Sequence, residues 1–234
     1  MKFDLSNIQR SKNDEKANII IPDCMTNQLA EFIGIMVGDG HVGQEGYHRS
    51  LRIAGNINDI IYYETYVQDL IKGLFNINFT IFTQKSKNVV IIQKHSKALF
   101  YFFHEIIGIP HRKDYVEVPA CILSGSKDIK SSFLRGLADA DFCFTIKHKP
   151  NLYPVIQAGF KSEVLTRQCS SMLRELGIEN CVGNEVSYYA KRNKAYASCR
   201  IYVNGFDRVA KFIEKVGFGN QNKHAKYAKL IKRA

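Results

Sequence analysis

Two aspartates occupy matching places in a motif that occurs twice. Residues 32–40 read FIGIMVGDG and residues 134–142 read LRGLADADF, so that Asp39 aligns with Asp141, 102 positions further along the chain. In each copy the aspartate is accompanied by two small residues spaced four apart. These small residues are Gly34 and Gly38, and Gly136 and Ala140. Residues with this spacing lie on one face of an α-helix.

Small residues on one helical face allow two helix backbones to approach closely. If the two motif helices pack on each other, Asp39 and Asp141 arrive at the same end of the pair. Two carboxylates held close repel each other unless a cation lies between them, so the convergence predicts a divalent metal site. Hard oxygen ligands suit Mg²⁺ or Mn²⁺. Such a site can hydrolyse a phosphodiester, with the metal activating water and stabilising the leaving oxygen.

A second repeated segment supports a duplicated chain. FHEIIGI at 103–109 matches FIEKVGF at 212–218, in the same order as the motifs and at a similar separation. The hydrophobic spacing and turn residues predict an αββαββα order in each unit, hence an α+β protein. We predict a loosely ordered N-terminal arm at 1–25, a first unit at 26–127, and a second unit at 128–234 that ends in a basic helical tail. Residues 110–128, with Pro110 and Pro119, read as the linker.

Composition excludes several classes of protein. Hydrophobic residues make up 45% and charged residues 24% of 234 residues, which is typical of a globular protein with a core. No apolar run reaches the roughly 18 residues of a membrane span, and the polar N-terminus lacks the apolar segment of a signal peptide. We therefore expect a cytoplasmic protein without a membrane partner. The six cysteines form no C-x-x-C pair, so a zinc site is not expected.

Charge points to a polyanionic partner. The net charge is +11, and it is unevenly divided: residues 1–127 hold 14 basic and 13 acidic residues, whereas residues 128–234 hold 19 and 9. A strongly basic domain is typical of nucleic-acid binding. The second unit should therefore supply more of the salt-dependent affinity.

The two motifs resemble the namesake motifs of single-chain LAGLIDADG homing endonucleases, over about residues 26–218. The resemblance implies two pseudo-twofold-related units whose antiparallel sheets form a saddle over duplex DNA. It implies an intron-encoded, monomeric, Mg²⁺- or Mn²⁺-dependent endonuclease that hydrolyses one phosphodiester per strand at a long asymmetric site. The last acidic residue of each motif, Asp39 and Asp141, would act in cleavage. The backbone carbonyls of Gly38 and Ala140 would complete the metal ligation.

The sequence departs from the family pattern in two places. The second motif ends in Phe142 where the family usually has Gly, and Phe tolerates positive φ poorly, so this helix end or the cleavage of one strand is expected to differ. The family also tends to place a Gln or Lys at the end of each unit's second strand. Lys161 matches that place, but the first unit reads Ala-Gly-Asn at 54–56. Lys113 and Lys223 are further candidates for basic support of the site.

Basic residues on the sheets are the candidate DNA contacts. Strand residues could reach base edges in the major groove, and hairpin tips could contact phosphates. The candidates on or beside strands are Arg49, Lys147, Lys149 and Lys161, and those at hairpin tips are Lys85, Lys87, Lys191, Arg192 and Lys194.

Two other functions fit the same fold. One is an intron maturase that binds intron RNA, although splicing assistance needs no pair of carboxylates. The other is a catalytically inactive, sequence-specific DNA-binding protein, suggested by Phe142 and by the missing Lys near Asn56. An intein is not favoured, because the chain starts Met-Lys and ends Lys-Arg-Ala without splice-junction residues.

Overall fold

The computed structural model of the protein describes residues 1–147, 153–189 and 193–231. It confirms an α+β fold with two units of the same element order. The first unit contains α2 (Asn27–Gly38), β1 (Gly40–Glu45), β2 (His48–Asn56), α3 (Ile60–Tyr62), α4 (Gln68–Phe75), β3 (Thr80–Gln84), β4 (Val89–His95) and α5 (Lys97–Tyr101). The second contains α7 (Lys127–Asp141), β5 (Cys143–Lys147), β6 (Tyr153–Phe160), α8 (Glu163–Glu175), β7 (Cys181–Tyr189), β8 (Lys194–Asn204) and α9 (Phe206–Lys215).

Local sequence signals explain where the motif helices begin. The Thr26 hydroxyl accepts a hydrogen bond from the Leu29 N–H and caps α2, and Ser126 caps α7 in the same way through Ile129. Two further helices lie outside this repeated order: α6 (Ala120–Leu123) is between the two units, and α10 (Gln221–Ile231) follows the second. The predicted helical tail is thus confirmed over 221–231. Among the described residues, no helix is both long and apolar enough to cross a membrane.

Each unit has one four-stranded antiparallel sheet. The strand orders are β1-β2-β4-β3 and β5-β6-β8-β7. Alternation along the central strands separates the two faces: Leu51 and Ile53 are fully buried beneath the helices, while Arg52 between them points to the opposite face. The helices therefore cover one face of each sheet and leave the other open.

The first unit's helices contain two π-helical turns. One, Tyr63–Val67, connects α3 to α4, and the other, Phe102–Ile106, follows α5. A π-turn shifts the register of the side chains that follow it, and such turns often occur at functional sites. The first unit's long helical segment also starts irregularly, with a 3₁₀ turn at Ile57–Asp59.

The expectation of a loosely ordered N-terminal arm is wrong. The arm contains α1 (Lys12–Lys16), and its Asp14 is only 1% exposed. The Asp14 carboxylate accepts hydrogen bonds from the backbone N–H groups of Lys97 and Ala98, both at 3.2 Å, at the start of α5. Burial raises the pKa of Asp14, but hydrogen bonds with the Ser11 N–H, the side chains of Ser96 and Ser11 and the Ala98 N–H outweigh it, so that the pKa is lowered. The arm is therefore attached to the first unit by a buried carboxylate.

Replacing Asp14 by Ala is expected to lower the free energy of unfolding by about 2 kcal/mol, because buried N–H groups at the start of α5 lose their acceptor. Urea denaturation measures the change. The matched control is Glu15→Ala, which removes an exposed acid from the next position of the same helix. Equal stability losses in the two variants would contradict this account of the arm.

Candidate active site

Helices α2 and α7 contact each other through their backbones. A Cβ atom added at Gly34 would lie 2.1 Å from the Phe133 carbonyl oxygen, and one added at Gly136 would lie 1.9 Å from the Glu31 carbonyl oxygen. No side chain fits at either position. The close approach predicted from the small residues is therefore confirmed, and it joins the two units.

The same contact brings the two motif aspartates to one end of the helix pair. A Cβ atom added at Gly38 would lie 2.3 Å from the Ala140 Cβ and 3.0 Å from the Asp141 Oδ2. Asp141 thus lies over the last turn of α2, whose C-cap is Asp39. Both carboxylates are at the C-terminal ends of helices, where the helix dipole adds further negative potential.

The surroundings make both carboxylates harder to ionise. Burial is the main cause that raises the pKa of Asp39; a hydrogen bond from the Tyr63 hydroxyl and the nearby Lys113 and Lys223 oppose it. Asp141 remains accessible to solvent but is surrounded by protein, and this burial, followed by repulsion from Asp39, raises its pKa to about 6. Two like charges share the site, and a bound cation would relieve their repulsion.

Two lysines lie at this end of the helices. The Lys113 ammonium donates to the Gly38 carbonyl. The Lys223 ammonium donates to the carbonyls of Ala138 at 2.8 Å, Asp139 at 2.6 Å and Phe142 at 2.8 Å. Burial lowers the pKa of both lysines, and the neighbouring aspartates oppose that shift. The structure thus brings together four residues that the sequence analysis singled out.

Lys161 lies at the entrance of the same site. An open cleft of about 260 Å³ is lined by Gly38, Lys113, Asp141 and Lys161. The Lys161 Nζ is 3.3 Å from the Asp114 Oδ1, and both side chains are exposed. An exposed pair of this kind is weak and can exchange partners, so Lys161 can turn towards an anion in the cleft.

The donor set fits a hard divalent ion. Two carboxylates converge here, and the Gly38 carbonyl already accepts a cationic group, the Lys113 ammonium. Oxygen donors of this kind suit Mg²⁺ and Mn²⁺. Within the ranges that the structure describes, no cluster of three or more His, Cys, Asp or Glu side chains offers an alternative metal site.

Phe142 causes no backbone strain at the end of the second motif. Its φ is −84° and its ψ is 139°, so the residue is extended and the helix end does not need a positive φ. The ring is 1% exposed and packs against Phe160 and Phe212, with centroids 6.2 and 5.9 Å away. In the first motif, by contrast, a Cβ at Gly40 would lie 2.4 Å from the Met36 carbonyl oxygen. The two helix ends therefore differ, but the cause is the close packing of Gly40 on Met36 and not the positive φ that the sequence analysis invoked, since Gly40 does not have one.

The pKa of Asp141 leads to a stability prediction for protein freed of divalent ions. A folded pKa of about 6 exceeds the unfolded value of about 3.9, so the folded state favours the protonated carboxyl. Wild-type stability should therefore gain from this group as pH falls through 6 towards 4. We expect Asp141→Asn to be more stable than wild type at pH 8, by about 1 kcal/mol after solvent screening, and equal to it below pH 4.

Urea denaturation with a chelator at pH 8 and pH 4 tests this prediction. Glu64→Gln, an exposed carboxylate on the π-helical turn, provides the matched control. A stability difference between Asp141→Asn and wild type that is the same at both pH values would contradict it.

The open sheet faces carry some of the predicted DNA contacts. Lys147 lies on the open face of the second sheet, with its Nζ 5.3 Å from the Tyr202 ring centroid. Lys85 and Lys87 are on the exposed turn between β3 and β4. Lys149, Lys191 and Arg192 fall outside the described residues, as does the side chain of Lys194. DNA contact by all of these residues stays a prediction.

The placement of Arg49 on a DNA-reading face is wrong. Its guanidinium lies over the rings of Phe100 and Tyr101 in α5, at 5.4 and 5.8 Å, because residue 49 has the same alternation as the buried Leu51. The neighbouring Arg52 takes the open face instead, at the same register as His41 and Gln93.

Several polar residues near the site were missed by sequence reasoning. On the second sheet, Arg200 lies on the open face with its Nε 2.8 Å from the Glu185 Oε2.

Behind the motif helices three tyrosines bind three carboxylates. The hydroxyls of Tyr62, Tyr63 and Tyr66 donate to Asp139, Asp39 and Glu31 at 3.1, 3.0 and 2.5 Å. Burial raises the pKa of Asp139 to about 6.

Comparison with known proteins identifies the second unit and the fold. Residues 128–217 match the family described as "LAGLIDADG-like domain". Among solved structures, the chain resembles mesophilic variants of the homing endonuclease I-DmoI, with a TM-score of 0.56, 16% identity, and coverage of 82% of this chain and 95% of that one. It also resembles I-DmoI in complex with DNA and Mn, with a TM-score of 0.55, 18% identity, and coverage of 82% and 96%.

Curated relatives share a segment only. The chain is 27% identical over 209 residues to an A-type ATP synthase subunit of Pyrococcus abyssi, covering 86% of this chain and 18% of that protein. It is 28% identical over 158 residues to the glutamine--fructose-6-phosphate aminotransferase [isomerizing] of Methanocaldococcus jannaschii, covering 67% and 13%. The chain thus spans less than a fifth of the length of these two relatives.

Proposed function

We propose that this chain, whose residues 128–217 match the LAGLIDADG-like domain and whose fold resembles that of homing endonucleases over most of its length, cuts both strands of duplex DNA at a specific site with a divalent metal ion. The observation that carries the proposal is the convergence of Asp39 and Asp141 at one end of a backbone-to-backbone helix pair. Holding two like charges this close together is costly unless a cation lies between them, and a metal ion used for hydrolysis would be that cation.

Each residue of the site has a role in this proposal. Asp39 and Asp141, with the carbonyls of Gly38 and Ala140, would hold the ion, which when bound supplies charge stabilisation at a phosphate and acidifies water. Lys113 and Lys223 keep positive charge beside the carboxylates, so a phosphate can approach without net repulsion. Lys161 can leave Asp114 and contact that phosphate.

The open sheets supply the binding surface. Two antiparallel sheets with uncovered faces offer side chains at strand spacing, and Arg52, Lys147 and Arg200 lie on those faces. Arginine and lysine on such a surface bind phosphates and the edges of guanine. The two sheets differ in sequence, so the DNA site should be asymmetric.

The curated relatives support a mobile module. The names of the two relatives describe different activities. The segment that both share with this chain is therefore not expected to carry out either activity. A module carried by larger proteins of unrelated activity has the distribution expected of a homing element.

The test is cleavage of a DNA library that contains randomised sequences and genomic junctions. With Mg²⁺ or Mn²⁺ we expect discrete double-strand cuts at one long asymmetric sequence, which stop when a chelator is added and resume when the ion is restored. Sequence-specific binding without cuts in either ion would indicate an inactive DNA-binding protein. Binding to intron RNA without DNA cleavage would indicate a maturase.

A further inference from the structure

The two motif aspartates are supported differently, although the repeat makes them equivalent. The Tyr63 hydroxyl donates to the Asp39 Oδ2 at 3.0 Å, and Tyr63 is only 4% exposed. Among the side chains that the structure describes, none donates a hydrogen bond to the Asp141 carboxylate. One carboxylate is therefore fixed by a buried donor, and the other can rotate.

The second unit has a cysteine at the place of Tyr63. Asn56 caps the first unit's long helix and Ser162 caps α8. Tyr63 follows Asn56 by seven residues, as Cys169 follows Ser162. Cys169 is fully buried, and both burial and the charge of Asp141 raise the pKa of its thiol. A thiol is a short and weak donor, so the repeat has diverged at this position.

The surrounding chain is adapted to the Tyr63 hydroxyl. A Cβ atom added at Gly55 would lie 2.0 Å from the Tyr63 Oη, so only glycine leaves room for the ring in its present position. Tyr63 is also the first residue of the π-helical turn. Its neighbour Tyr62 donates to Asp139 on α7, so adjacent residues reach carboxylates on different motif helices.

We propose that Tyr63 is a positioning residue for Asp39 and that it makes the rates of cleavage of the two DNA strands unequal. The hydroxyl holds Oδ2, so the Asp39 carboxylate keeps one orientation. Asp141 has no such restraint from the described residues. The inference rests on the proposed endonuclease function and extends it to the order in which the strands are cut.

The main experiment measures both strands separately in Tyr63→Phe. The two 5′ ends of the cognate duplex carry different fluorophores, and the rate of nicking of each strand is followed with Mg²⁺. Because a hydrogen bond to a charged group is lost, we expect the ratio of the two rates to change about tenfold. The matched control is Tyr66→Phe. Tyr66 lies one turn after Tyr63, and this change also removes a tyrosine hydroxyl, but one that donates to Glu31 and not to Asp39. We expect the control to leave the ratio within about twofold of wild type.

Gly55→Ala provides a second variant that leaves the tyrosine in the chain. The added methyl should displace the Tyr63 hydroxyl from Asp39 and change the strand ratio in the same direction. Thermal unfolding of all variants shows whether each is folded at the assay temperature. A strand ratio that stays at the wild-type value in folded Tyr63→Phe overturns the inference.

A metal-binding measurement separates this inference from the proposed function. Mn²⁺ affinity of the protein alone, read by electron paramagnetic resonance, should fall several-fold in Tyr63→Phe and stay unchanged in Tyr66→Phe. If wild type cuts no DNA, the endonuclease proposal fails, and the Mn²⁺ affinities still test Tyr63. Equal affinities of wild type and Tyr63→Phe, including no binding by either, would then overturn the inference.

Discussion

Replacing Asp39 or Asp141 by Asn is expected to lower the rate of double-strand cleavage by at least about a hundredfold. Asn keeps the shape of the side chain but removes the charge that would hold the metal ion. Binding of the DNA should persist or strengthen, because a negative charge near the phosphates is lost. The measurement is the conversion of a supercoiled plasmid bearing the cognate site to nicked and linear forms.

The pattern of nicks distinguishes the two aspartates. If each carboxylate serves one strand, Asp39→Asn and Asp141→Asn should leave nicks in opposite strands before any linear product appears. Asp128→Asn is the matched control, since it removes the same charge at the opposite, exposed end of α7. Linear product formed at the wild-type rate by either site variant would refute the assignment of that aspartate.

The parts of the fold that the sequence predicts are those marked by the internal sequence repeat or by a regular spacing of hydrophobic residues. Helix α2 could be predicted from the Thr26 cap and from the apolar run that ends at Asp39-Gly40. Helix packing followed from the spacing of Gly34 and Gly136, because a glycine inside a helix is unfavourable unless something requires it. These signals are local and were sufficient for both units.

The features that were missed depend on contacts between distant residues. Asp14 lies in the polar run KNDEK, which contains nothing to distinguish a buried acid from a solvated one. Its acceptor role appears only when α5, more than 80 residues later, is placed beside it. The role of Tyr63 could not be predicted either. Its position in the helix has the spacing of a residue that packs in the core, and its hydroxyl reaches Asp39 only in the folded chain.

One wrong placement has a simple geometric cause. Arg49 was assigned to the open face from its charge, but side chains alternate along β2, and residue 49 shares the parity of Leu51 and Ile53. Counting that alternation from the two buried residues would have assigned Arg52 to the open face. Register therefore carries more information about a DNA-facing surface than charge does.

Gly34→Ala and Gly136→Ala are each expected to reduce the free energy of unfolding by about 3 kcal/mol or more. The added methyl would lie 2.1 Å from the Phe133 oxygen or 1.9 Å from the Glu31 oxygen, and these are backbone atoms that cannot move without separating the helices. Urea denaturation monitored by circular dichroism measures the loss. The matched control is Gly73→Ala in α4, where the added methyl meets nothing within 4 Å.

The control should change stability in the opposite direction. Gly73 is exposed within a helix, so Ala there should stabilise the protein by about 0.5–1 kcal/mol. Because the Gly34–Gly136 contact also sets the separation of Asp39 and Asp141, any folded fraction of the two interface variants should cut DNA more slowly than wild type. Wild-type stability in Gly34→Ala or Gly136→Ala would show that the helices are further apart than described, and the proposed metal site would lose its geometric basis.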